Sequence, residues 1–211
     1  MALRGRGDSI SPRAPSTTAR GVPAAVWPLA CYAVLTGAAL QASVAYLPMF
    51  AYDVLEWRVG FAGLTVSLVG AAGVCARILW GQWTESMANI GAPLVMVALG
   101  GAVAIALLLL AVPLEQAWLL WPAVILLGLT GVAANVVMMV VVVGLAPVEQ
   151  LGRASGLLAT GLFVGFALGP ASFGGLVDAS GGYSEAWAAV VLLYLLASAL
   201  AVHIGYRHRP H

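Results

Sequence analysis

The sequence contains no lysine, and its nine arginines and eight acidic residues leave only 8% of positions charged. A soluble domain carries about 25% charged residues, so a water-facing globule is excluded. Histidine is scarce: His203, His208 and His211 all fall near the C-terminal edge, with no acidic neighbours to complete a zinc site. The two cysteines, Cys31 and Cys75, lie inside long apolar runs. A disulfide framework would put them in connections instead, so they are expected to be packing residues. No Asp or Glu lies deep in any apolar run. Asp53, Glu56, Glu115, Asp178 and Glu185 fall at one set of run ends and connections, Glu85 and Glu149 at the other. These absences remove the paired acids of an intramembrane aspartyl protease, the facing serine and histidine of an intramembrane serine protease, and the ligand cluster of a metal enzyme. The chain is expected not to be an enzyme, and nothing in it calls for a cofactor. A net charge of +1 gives no reason to expect nucleic acid.

What is present is grease in long pieces. The chain is 62% hydrophobic with a mean hydropathy of +1.00. Strands of an outer-membrane barrel alternate over segments of about ten residues; here the apolar runs last about twenty without alternation, the length of a transmembrane helix. The expected class is an all-α integral membrane protein with six transmembrane helices. The spans are placed at about Val26–Ala51, Phe61–Trp83, Ala92–Val112, Trp118–Val143, Ala154–Val177 and Trp187–Tyr206, forming one bundle over 26–206. Short connections force antiparallel neighbours. Residues 1–25 are rich in Arg, Ser, Pro and Gly, cannot bury a core, and are expected to be disordered. Residues 207–211 form a short tail.

Arginine sets the orientation. With the N-terminus inside, Arg4, Arg6, Arg13, Arg20, Arg77, Arg153, Arg207 and Arg209 fall on the inner side and Arg58 alone outside. That asymmetry predicts cytoplasmic termini in a plasma (inner) membrane. All seven tryptophans lie at or near predicted span ends, where an interfacial aromatic belt belongs.

The stretch Gly152–Asp178 is the most informative. At 100° per residue Gly161, Gly165, Gly169 and Ser172 share one face, with Phe163 and Phe166 opposite. Small residues drive helix association in lipid by letting backbones approach. This helix is therefore expected to press its glycines on a neighbour and show its phenylalanines to lipid. Gly169 and Pro170 are expected to loosen its hydrogen-bond ladder, because proline lacks the N–H.

Two polar stripes are candidate solute walls. Tyr32, Thr36, Ser43 and Tyr46 fall within about 80° of one another on the first span. Asn135 and Met139 share an arc of the fourth with Gly128 and Gly131. Polar groups at membrane depth are costly unless paired or facing water, so either these face a cavity or they bond to neighbouring helices. Arg77 lies a turn or two from the inner end of the second span. There it can snorkel, or pair with Glu85 or Glu149 as a latch between helices.

Three segments together, CARILWGQWTESM (Cys75–Met87), APVEQLGRASG (Ala146–Gly156) and GFALGPASFGGLVD (Gly165–Asp178), resemble the C-terminal six-helix half of a major facilitator superfamily transporter. Gly81 and Glu85 match that family's cytoplasmic signature, with Ser86 in place of its arginine, and Arg77 matches the arginine preceding it. Pro147, Glu149, Gly152 and Arg153 match the loop before its eleventh helix. The resemblance implies an MFS-type half bundle, with residues 1–25 standing where that family has its central cytoplasmic loop. It implies a carrier moving a small organic solute by alternating access, once a second six-helix half completes it. That half is a missing N-terminal half, a separate chain or a second copy of this one. Gating would fall to Arg77, Gly81, Glu85, Glu149, Arg153, Gly169 and Pro170, and the cavity lining to Tyr32, Thr36, Ser43, Tyr46, Asn135 and Met139. The alternative is a non-transporting membrane scaffold or regulatory subunit, whose glycine faces are interfaces only.

Overall fold

The fold was read from a computed structural model that describes residues 21–86, 89–111, 113–114 and 116–207, with backbone alone at Glu85 and Ser86. The stretch expected to be disordered lies outside these residues as far as position 20, as does the tail after Arg207. Within them the chain is all helical. Helices α1 (Val26–Asp53), α2 (Val59–Ser86) and α3 (Gly91–Ala111) each form one crossing. A short 3₁₀ turn at Ala117–Leu119 leads into α4 (Leu120–Thr130) and α5 (Ala134–Leu145), which together make the fourth crossing. A second turn at Val148–Gln150 precedes α6 (Leu151–Ser180), and α7 (Ser184–Arg207) closes the bundle. Six helical stretches are long and apolar enough to cross a membrane, matching the six expected spans to within a few residues. The even number of crossings puts Val26 and Arg207 at the same end, called here the terminal end.

Packing follows the small residues. α6 makes its most extensive contact with α1, and α3 with α7. A Cβ on Gly161 would lie 2.8 Å from the Ala30 carbonyl, and one on Gly165 only 2.7 Å from the Ala38 amide nitrogen. One on Gly169 would run into the Ala38 backbone as well. The two helices thus touch backbone to backbone, as expected of that face. At the terminal end Gly91 meets Gly205 the same way, a Cβ on the former falling 2.5 Å from the latter's Cα. At the far end, aromatic rings join α1, α6 and α7. Phe173 packs on Tyr46 at 4.6 Å and on Trp187 at 4.7 Å between centroids, and Phe50 meets Trp187 at 5.6 Å. Trp187, expected in the interfacial belt, points into this cluster and is buried. Cys31 and Cys75, expected to pack inside, are free thiols on the exposed surface of α1 and α2.

The fourth crossing departs from its expected single helix. After Thr130 the ladder widens, with Val132 N–H donating to Leu127 O at 3.4 Å, then tightens, with Ala134 N–H donating to Gly131 O at 3.3 Å. Thr130 Oγ1 donates back to Leu126 O at 2.6 Å, a bond of the kind that bends helices. Trp80 of α2 caps the disturbed turn, its Nε1–H donating to Leu129 O at 2.8 Å. By contrast α6 runs unbroken through Pro170. Helices in lipid tolerate proline where the one freed carbonyl finds compensation nearby.

Candidate functional site

A cavity of about 170 Å³ opens where α1, α2, α6 and the interrupted fourth crossing meet. It is lined by Thr36 and Leu40 of α1, Arg77 of α2, the segment Gly131–Asn135 apart from Ala133, and Leu162, Phe163 and Phe166 of α6. All its polar groups lie at one depth. Thr36 is ten residues into α1, Arg77 nine before the end of α2 and Asn135 ten before the end of α5. At 1.5 Å per residue each sits about 14–15 Å from the terminal end, well inside a hydrocarbon core about 30 Å thick.

The local reasons differ residue by residue. The break at Gly131 turns the start of α5, so that Asn135 stands exposed beside the cavity rather than buried between helices. Gly131 allows this turn because a Cβ there would lie 2.9 Å from the Tyr194 hydroxyl. Thr36 is buried and donates to Tyr32 O at 2.8 Å, so it offers the cavity an acceptor oxygen. Arg77 is exposed, and among the described residues no carboxylate lines the cavity or pairs with it.

The other expected wall residues lie elsewhere. Tyr32 is fully buried and donates its hydroxyl to Leu94 O of α3 at 2.8 Å; Ser43 is fully buried and donates to Ala39 O at 2.7 Å. Tyr46 stacks in the far-end aromatic cluster. Met139 packs against the core at the terminal half of the bundle. The α1 stripe is thus divided, with Thr36 alone on the cavity.

Of the expected gating residues, Gly81 sits 3.7 Å, counted from a built Cβ, from Val136 of α5. Glu149 is exposed in the turn before α6, and Arg153 is exposed one turn further on. No ion pair joins Arg77 to Glu149 here, and the Glu85 side chain lies outside the described residues. Gly169 is pressed on Ala38, with Pro170 beside it inside α6.

Phe163 and Phe166 are where the lipid-facing expectation changes. They line the same cavity as Arg77 and Asn135, their rings meeting edge to face at 5.8 Å, with Phe163 66% exposed. The face opposite the glycine seam is therefore the cavity side of α6. On that open side, α2 and α6 also carry glycines that touch nothing: Gly63, Gly70, Gly152 and Gly156 have no neighbour within 4 Å of a built Cβ. A larger groove of about 360 Å³ between α1, α6 and α7 is lined by apolar side chains, with Ser172 its one hydroxyl; it offers a polar solute almost nothing.

A family model described as Major Facilitator Superfamily matches residues 3–143 of the 211. The match takes in the first three crossings and nearly all of the fourth; the segments from Ala146 to Asp178 lie beyond it. Among curated proteins, none matches the chain.

Proposed function

The chain belongs to the major facilitator superfamily of membrane transporters, and we propose that it is a carrier half, moving a small organic solute by alternating access when a second six-helix bundle faces it. The observation that carries this reading is the cavity at Thr36, Arg77 and Asn135, polar at membrane depth and open toward the side where α2 and α6 have unpartnered glycines. An ionisable group inside a membrane points to a solute or ion path by default, and exposed small residues suit close approach of another helix. The second bundle would supply the remaining wall, as the N-terminal half of one polypeptide, as a separate chain, or as a second copy. Within this half, Thr36 and Asn135 face the solute; Tyr32, Ser43, Tyr46 and Met139 hold the wall in place behind them. Gly81, Glu85, Glu149 and Arg153 belong to the gate at the terminal end, which we place in the cytoplasm of a plasma-membrane protein. Residues 26–206 are the working bundle, between a basic cytoplasmic segment, 1–25, and a cytoplasmic tail, 207–211.

The test is solute counterflow into proteoliposomes holding the purified chain, run beside a measurement of its mass in detergent. Flux of at least one small organic solute by an assembly of twelve or more crossings is expected. A six-crossing monomer that moves none of a broad panel, and still moves none when a second six-helix half is supplied in the same membrane, would leave the scaffold reading in its place.

A further inference from the structure

We infer that the cavity at Arg77 is an anion subsite, and that the solute is a small organic anion of single charge with an apolar or aromatic body. The inference deepens the carrier reading and rests on it. Arg77 brings a guanidinium to the cavity. A cation about 14 Å from the helix end needs a counter-charge or water to be tolerated. No described carboxylate lines the cavity. Glu85 is the nearest acid along α2, two turns further toward the terminal end and about 12 Å away along the axis. Glu149 lies in the turn before α6 and makes no pair with Arg77. The guanidinium is therefore presented to the cavity rather than consumed by a partner.

Its neighbours complete the recognition chemistry. A guanidinium is a planar fork of N–H donors matched to a carboxylate. The exposed Asn135 amide adds donors beside it. Across the cavity Phe163 and Phe166 form an aromatic wall, edge to face at 5.8 Å, suited to the apolar remainder of the solute. One cation with no second beside it favours one negative charge.

The experiment uses three probes of one shape: benzoate, benzamide and benzylamine. Binding is read by thermal stabilisation of the purified full chain, and transport by counterflow in proteoliposomes. Benzoate is expected to stabilise the protein where benzamide and benzylamine do not. Arg77→Gln should weaken benzoate binding about 10- to 100-fold, the range of a charge-assisted hydrogen bond, and Arg77→Lys should restore part of it. Equal stabilisation by benzamide or benzylamine, or benzoate binding untouched in Arg77→Gln, would overturn the anion subsite. The two readings fail separately. Flux confined to uncharged or cationic solutes leaves the carrier and removes the anion subsite, whereas benzoate binding through Arg77 without flux of any solute, even with a second six-helix half supplied, leaves the subsite and removes the carrier. Loss of all flux in Arg77→Gln with no charge preference in binding makes Arg77 a partner of the second bundle and also overturns the inference.

Discussion

The Trp80 indole donates to the Leu129 carbonyl at 2.8 Å, joining α2 to the fourth crossing one residue before α4 ends. A helix interrupted at membrane depth must find partners for its loosened carbonyls, and Trp80 supplies one from outside. Trp80→Phe keeps an aromatic ring, smaller than the indole, and removes the donor. Loss of the hydrogen bond is expected to cost about 0.6 kcal/mol and at most about 1.7 kcal/mol, the average and the maximum for hydrogen bonds between membrane helices, read as a lower unfolding temperature in detergent.

The glycines of α6 divide into two kinds, and alanine should tell them apart. Gly165→Ala puts a methyl against the α1 backbone at Val34 and Ala38, which cannot move as a flexible side chain would. A loss of about 1–3 kcal/mol is expected. Gly156→Ala, with nothing within 4 Å, should leave the stability of the isolated chain unchanged or slightly raised. The pair of melting curves, taken side by side, checks the seam.

Tyr194 is buried, and among the described residues its hydroxyl finds no hydrogen-bond partner. An unsatisfied buried hydroxyl is a cost rather than a contribution. Tyr194→Phe is therefore expected to raise stability by about 1 kcal/mol while keeping the ring packed on Gly101.

At the far end, Tyr183 donates its hydroxyl to Asp53 Oδ2 at 2.7 Å. Partial burial and then the neighbouring Asp53 push the Tyr183 phenol from 10 up to about 12. The folded chain holds this proton more tightly than the unfolded one, so the contribution is fully present below pH 10. It is lost as pH rises from 10 to about 12. Wild type should lose stability over that window through this pair. Tyr183→Phe should start lower and lack that part of the pH dependence.

Asn135→Leu tests the cavity from its other side. Asn135 is exposed, so its loss should leave the melting temperature in place. Solute affinity should fall about 3- to 10-fold, the worth of one or two neutral hydrogen bonds.

How far these features were legible in the sequence differs from one to the next. The six crossings and the glycine seam followed from run length and from the 100° spacing of Gly161, Gly165 and Gly169, because both depend on local periodicity alone. Thr36 and Asn135 were legible as polar at depth. Tyr32 and Ser43 looked equivalent, since a helical wheel gives an angle and not the neighbour that fills it; α3 stands opposite Tyr32. The interruption at Gly131 was not foreseen. Thr130, Gly131 and Val132 are ordinary residues for a membrane helix, and the turn depends on Trp80 and on the space beside Tyr194, both remote in sequence. Pro170, the loudest local signal, lies in a continuous helix because one missing donor is tolerated. Phe163 and Phe166 were placed opposite the glycines correctly, but the occupant of that side comes from Arg77 on another helix.

The contact of α6 on α1 sets what this bundle can do mechanically. Where carbonyl oxygens and Cα atoms rest on one another, there is no layer of side chains to act as a bearing, so neither rod can slide or roll against its mate. Any reshaping of the cavity is then carried by the fourth crossing swinging beside a fixed two-rod beam. Spin labels on α1 and α6 should hold one spacing while a label on α5 changes its distance to both.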